Sequence, residues 1–262
     1  NVLVNSFQSE TSNHQIYSFS NDDAINLSPS AGTVTKLGGT RTRFGDVVAL
    51  DSTHFVVLGM THQYPFLSYE VNAAGQIELL DNSFVTGYYE SVTGLKLDST
   101  HLLMSYWQYN FRVAEVDVNY VGSWAAAGTS LFGVGNDTYN GVKMYIAGED
   151  VSYWYVIINR LYNPPTDSVI SVVSVDKATY AVAQVGTDVA GMGDSLSGYD
   201  MTPIEGYTDK WVCIYTDTNL KAIVVGVNGS FEPLIEGAEL DLGFVGENPN
   251  IQSVDATHFI IT

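Results

Sequence analysis

Three features of the sequence predict an all-β fold of repeated four-stranded antiparallel sheets. They are an internal repeat of about fifty residues, short apolar runs divided by turn-forming residues, and the lack of a sustained 3.6-residue apolar period over 262 residues. The repeat is Leu50-Asp51-Ser52-Thr53-His54-Phe55-Val56-Val57, found again as Leu97-Asp98-Ser99-Thr100-His101-Leu102-Leu103-Met104 and Val254-Asp255-Ala256-Thr257-His258-Phe259-Ile260-Ile261. Asp150-Val151-Ser152-Tyr153-Trp154 and Thr208-Asp209-Lys210-Trp211 are degenerate copies. The large residue opening the second strand is then Phe55, Leu102, Trp154, Trp211 and Phe259, at intervals of 47, 52, 57 and 48 residues. Small sheets with two apolar faces are stable only when stacked on one another, so the predicted architecture is a β-propeller.

Each unit divides into four strands. Residues 46–90 hold Val47–Leu50, Phe55–Met60, Phe66–Val71 and Gln76–Leu80, joined by hairpin-type turns. Residues 91–135 hold Gly94–Leu97, Leu102–Trp107, Phe111–Val118 and Trp124–Ala127. Residues 141–190 hold Val142–Ile146, Trp154–Asn159, Val169–Val175 and Tyr180–Gln184. Residues 197–240 hold Met201–Ile204, Trp211–Thr216, Ala222–Val227 and Phe231–Leu234. Residues 250–262 supply two strands, Ile251–Val254 and Phe259–Ile261, and residues 1–45 supply Gln15–Phe19 and Thr33–Leu37. Pairing of the N- and C-terminal strands therefore closes one domain of five blades over residues 1–262. Val2–Phe7 is a surplus strand, for which a sixth blade or pairing with a neighbouring molecule is the alternative.

These repeats resemble the Asp-Ser-Thr-His-Phe-Val-Val type of uncharacterised bacterial and phage-associated β-propeller proteins. The resemblance spans the chain and implies fold without activity. Trp-Asp repeats and the sialidase-type Ser-x-Asp-x-Gly-x-x-Trp box are missing, and Gly38-Gly39 is the sole pair of the kelch kind.

Composition narrows the function. With 29 acidic against 10 basic side chains, the net charge of −19 disfavours nucleic acid and anionic membrane surfaces. The apolar runs are strand-sized, so no membrane insertion is expected. No leader is visible and residue 1 is Asn, which suits a processed chain or an excised piece. The lone cysteine, Cys213, lies in a buried-strand pattern and reads as an inert thiol. Asn26, Asn136 and Asn228 are glycosylation candidates. Together these suit an extracellular, cell-surface or virion-surface protein.

His54, His101 and His258 recur, but in different blades, too far apart to share one metal ion. The expectation is that Asp51, Asp98 and Asp255 build turns and each histidine begins the next strand. The run Asp117–Gly122 lacks the bidentate Glu of a calcium loop and reads as a strand end followed by a turn. No metal or other cofactor is implied. Asp46, Glu90, Glu149, Asp200 and Glu205 lie near first strands, where paired carboxylates would serve a glycoside hydrolase or lyase, although no pair stands out. The loops between second and third strands are richer in binding chemistry: His62, Gln63 and Tyr64; Gln108, Tyr109 and Asn110; Tyr162 and Asn163; Asp217 and Asn219. Tyr rings beside amides suit a glycan or a polar protein surface. The expected function is a non-enzymatic binding or assembly module for glycan or protein. A filament subunit joined by terminal strand exchange, and a funnel glycosidase, are the alternatives.

Overall fold

The computed structural model of the chain describes residues 2–7, 15–21, 27–29, 44–59, 66–81, 92–106, 110–132, 143–161, 167–194, 199–216, 218–245 and 249–262. Every regular element among them is a strand. Contacts divide the chain into two compact units, residues 1–107 with 111–128 and residues 108–110 with 129–262.

In the first unit, β1 (Val2–Phe7), β2 (Gln15–Asn21) and β3 (Leu27–Pro29) form a three-stranded antiparallel sheet. The meander of β4 (Phe44–Ala49), β5 (His54–Gly59), β6 (Phe66–Val71) and β7 (Ile77–Asp81) follows. A second meander comprises β8 (Val92–Lys96), β9 (His101–Tyr106), β10 (Asn110–Val116) and β11 (Gly122–Trp124). After β12 (Thr129–Ser130), the second unit holds a sheet of β13 (Lys143–Glu149), β14 (Tyr153–Leu161), β15 (Asp167–Asp176) and β16 (Val182–Asp194). Its next sheet is β17 (Tyr199–Pro203), β18 (Lys210–Thr216), β19 (Leu220–Val227) and β20 (Pro233–Ile235), with β21 (Leu240–Asp241) beside β19. The chain ends in the pair β22 (Ile251–Ser253) and β23 (Phe259–Ile261).

Strand alternation explains why these segments read as unbroken apolar runs. Along β5, Phe55 and Val57 pack with Tyr69 and Ile77 on one face, while Val56 and Leu58 pack with Leu102, Met104 and Ala114 on the other. Along β18, Trp211, Cys213 and Tyr215 meet Ile157, Ile170 and Val172, while Val212 and Ile214 meet Ile251 and Phe259. A sheet covered on both faces needs apolar residues at every position. Each large side chain so buried contributes about 1.5–3 kcal/mol.

The repeated aspartates build the turn between first and second strands. Asp51 Oδ1 accepts the N–H groups of Thr53 and His54, both at 2.8 Å. Asp98 and Asp255 do the same for Thr100, His101, Thr257 and His258. Each histidine does more than begin a strand, because its Nδ1 lies within 3.0 Å of the same carboxylate. At Asp150 the Tyr155 hydroxyl takes that place, donating at 2.9 Å.

A second side-chain-built turn joins third and fourth strands, where Asn72, Asp117, Asp176 and Asn228 each accept two backbone N–H groups. The Asp117 carboxylate therefore serves a turn, as expected. Each turn ends on a left-handed residue: Gly75 at φ 76°, Tyr120 at 61°, Tyr180 at 57° and Phe231 at 60°. This corrects two strand assignments, since Tyr180 and Phe231 belong to turns and their strands begin at Val182 and Pro233. Capture of the turn by the preceding Asp or Asn places these aromatics at positive φ, which costs about 1 kcal/mol at a non-glycine residue. Stacking offsets the cost: Tyr120 lies 3.7 Å from His54, and Phe231 3.9 Å from Tyr155, between ring centroids. Two further strands differ from expectation, with β11 at Gly122–Trp124 rather than Trp124–Ala127 and β16 running on to Asp194. The expected strand Thr33–Leu37 lies outside the described residues.

Candidate functional site

First strands carry the acids that a glycosidase would use, and the structure employs them in holding sheets together. Asp46 Oδ2 accepts the N–H of Gly94 on the next sheet at 3.0 Å. Asp200 Oδ2 accepts the N–H of Ile251 on its next sheet at 2.9 Å, and Oδ1 accepts that of Met201, also at 2.9 Å. The register makes these equivalent contacts: Asp46 and Asp200 occupy matching positions opposite Leu58 and Ile214, and Gly94 and Ile251 follow that position by one. Tyr145 stands at the same place on β13 and donates its hydroxyl to the Met201 carbonyl at 2.6 Å. Lys143 Nζ lies 3.1 Å from Asp200 Oδ1, so one buried carboxylate ties β13, β17 and β22. Glu149 pairs with Lys177 at 2.7 Å, Glu205 lies in an exposed turn, and Glu90 is outside the described residues.

The turn carboxylates share an electrostatic consequence. Donated hydrogen bonds hold Asp117, Asp150, Asp176 and Asp241 below the usual carboxylate range. Asp255 is held down to about 2, first by the Thr257 N–H and then by His258. At Asp51 and Asp98 burial pulls upward, yet the hydrogen bonds outweigh it and both are lowered. A carboxylate whose folded pKa lies below its unfolded value near ~3.9 stabilises the fold above that pH and loses the effect as pH falls through the folded pKa. The urea midpoint should therefore hold from about pH 7 to 5 and drop steeply from about pH 4 to 2. A midpoint unchanged at pH 2 would refute this account of the turns. By contrast, burial pushes the Cys213 thiol well up, which suits an inert core residue.

The second unit also contains a cleft of about 670 Å³, at the ends of β13 and β17 where the side-chain-built turns lie. Its walls include the rings of Tyr145, Tyr207, Trp211 and Phe231 and the acidic residues Glu149 and Asp209. Gly148 lets Phe231 lie close, since a Cβ there would come within 2.4 Å of Phe231 Cε1. Trp211 is 2% exposed, and its buried indole N–H has no hydrogen-bond partner among the described residues. No Lys or Arg is among the lining residues. The volume falls within the roughly 300–1,000 Å³ of small-molecule sites.

The residues expected to bind ligand are elsewhere. His62, Gln63, Tyr64, Gln108, Tyr109, Tyr162, Asn163 and Asp217 lie outside the described residues, as do the sequons at Asn26 and Asn136. Asn110 begins β10 and is half-buried, and the Asn219 amide already donates to Asp241 at 3.0 and 3.2 Å. Asn228 is exposed on the cleft rim with its amide bonded to Glu232 at 2.9 Å. The cleft itself escaped sequence reading. Its traces were Pro203 ending a first strand and the long turn Glu205–Asp209, neither of which announces a cavity without a neighbouring sheet.

No family model and no curated protein matches the chain. Solved structures do. A putative 6-phosphogluconolactonase from Bacteroides fragilis aligns at TM-score 0.52 and 9% identity, over 99% of this chain and 86% of its own. SapL1 lectin in complex with alpha methyl fucoside aligns at 0.52 and 8%, over 99% and 87%. The WD40 domain of SCAP from fission yeast aligns at 0.52 and 7%, over 100% and 71%. The fold is a β-propeller. Identities this low carry the architecture across and nothing of activity.

Proposed function

We propose that this propeller is a non-enzymatic binding module, acting outside the cell or on a virion surface, with a glycan or protein ligand held in the cleft at β13 and β17. The observation carrying this reading is the cleft's lining, in which four aromatic rings and two acidic residues meet around one opening. The commitment of Asp46 and Asp200 to contacts between sheets weighs against the glycosidase alternative. The like-folded SapL1 lectin in complex with alpha methyl fucoside supports the glycan reading at the level of the fold. The Tyr- and amide-rich segments between second and third strands, most of which lie outside the described residues, are the second candidate. Assembly is favoured by one further observation: among the described residues β23 pairs with β22 alone, and its Ile260 is 57% exposed.

Tyr207 is exposed and its replacement should leave the fold intact. Screening the intact chain against immobilised glycans and candidate protein ligands should yield a ligand whose affinity falls at least about tenfold in Tyr207→Ala. Binding that instead collapses in Tyr64→Ala with Tyr109→Ala, and ignores Tyr207→Ala, would move the site to the loops. Hydrolysis of chromogenic glycosides that disappears when Asp200 is neutralised in a variant that still folds would overturn the non-enzymatic reading.

A further inference from the structure

The cleft owes its opening to residues that depart from the repeat. In the first unit, Lys96 stands at the end of β8, opposite Leu102, and its ammonium reaches across to the carbonyl of Leu50 on the neighbouring sheet. Tyr120 covers the adjoining space, stacked on His54 with its hydroxyl 3.1 Å from Asp51. In the second unit the position of Lys96 belongs to Pro203, opposite Trp211. Proline has no side-chain donor and spans nothing. Phe231 replaces Tyr120 and brings no hydroxyl, while Glu149 stands where the first unit has Ala49. The turn after Ile204 runs Glu205 to Asp209 before Lys210, against Asp98 to Thr100 between Leu97 and His101, so two extra residues bring Tyr207 to the rim. The same structural position is thus bridged in one unit and opened in the other.

We propose that this cleft takes a neutral saccharide, with a pyranose ring lying against its aromatic wall; the inference deepens the binding reading above and rests on it. Two properties of the lining select that class. The wall offers flat rings interspersed with hydrogen-bonding groups, namely Glu149, Asp209 and Thr208. A pyranose presents the complementary surface, a C–H face edged with hydroxyls that both donate and accept. Charge then excludes the alternatives. Phosphorylated or carboxylated sugars are disfavoured by the net charge of −19 and by the lining Asp209, and the ammonium groups near the wall, Lys177 and Lys210, are already paired with Glu149 and Glu236. A simple cation is disfavoured because the Glu149 carboxylate is already paired with Lys177.

The test is titration calorimetry of the full chain with methyl pyranosides of the common neutral hexoses and 6-deoxyhexoses, N-acetylglucosamine, glucuronate, sialic acid and spermidine. At least one neutral sugar should bind, and glucuronate and sialic acid at least about tenfold more weakly. Pro203→Lys, which restores the first unit's bridging residue, should weaken that sugar at least about tenfold, with a melting temperature near wild type. Failure of every neutral sugar, or binding indifferent to Pro203→Lys, would overturn the proposal. The two levels separate cleanly. A protein, peptide or spermidine ligand lost in Pro203→Lys would sink the saccharide assignment and leave the cleft as the binding site. A ligand unaffected by both Pro203→Lys and Tyr207→Ala would sink the cleft itself.

Discussion

Replacing Asp200 by alanine should destabilise the protein by about 2–4 kcal/mol, the largest loss expected of any carboxylate among the described residues. The deletion strands two backbone donors, the N–H groups of Met201 and Ile251, in a place where the aspartate is 4% exposed and water cannot readily substitute. It also removes the partner of Lys143, but that ammonium is 44% exposed and recovers hydration, so the ion pair is the smaller part. For a chain of this length the change corresponds to a fall in Tm of roughly 5–15 °C. Asp200→Asn keeps one acceptor and should lose about half as much. Asp46→Ala, at an equivalent but half-buried position, should cost about 1–2 kcal/mol. Thermal unfolding followed by circular dichroism gives the ranking, and amide exchange at Ile251 should accelerate in Asp200→Ala. A Tm within about 2 °C of wild type would mean that the carboxylate does not hold the sheets.

That role was hidden in the sequence for an instructive reason. Local patterns declare local structure: Asp51 accepts from residues two and three places on, so the repeat that contains it announces the turn, and the alternating apolar faces of β5 and β18 announce burial on both sides. The partner of Asp200 is 51 residues away, and nothing near either residue marks the pairing. Seen as sequence alone, Asp46 and Asp200 look like candidate funnel acids because they sit on first strands; only the register shows that both serve the following sheet. The missed aromatics obey the same logic. Tyr180 and Phe231 have strand-forming side chains, and the sequence could not weigh a turn built by Asp176 or Asn228 against that propensity. Equally, the cleft depends on comparing Pro203 with Lys96 at one register position, which requires strands already aligned. Repeat periodicity therefore gives the four-stranded sheet pattern and the turn chemistry, while contacts between repeats stay out of view.

Gly94→Ala should cost about 1–3 kcal/mol although it adds only one methyl group. A Cβ at this position would sit 2.4 Å from Leu58 Cδ1 and 2.8 Å from Val48 Cγ2, both on the neighbouring sheet. Leu58 and Val48 are buried within a core that also contains Phe66, Met104 and Ala114, so neither can swing aside freely. Relief must come from β8 moving away from β4, and that movement stretches the Gly94 N–H bond to Asp46. The two residues should therefore be coupled. If the added methyl already weakens the bond, then Asp46→Ala costs less in the Gly94→Ala background than alone, and the double variant falls short of additivity by about 0.5–1 kcal/mol. Urea unfolding of the four proteins measures the cycle. Strict additivity would show that the glycine and the aspartate act separately, and a neutral Gly94→Ala would show that the two sheets have slack at this contact.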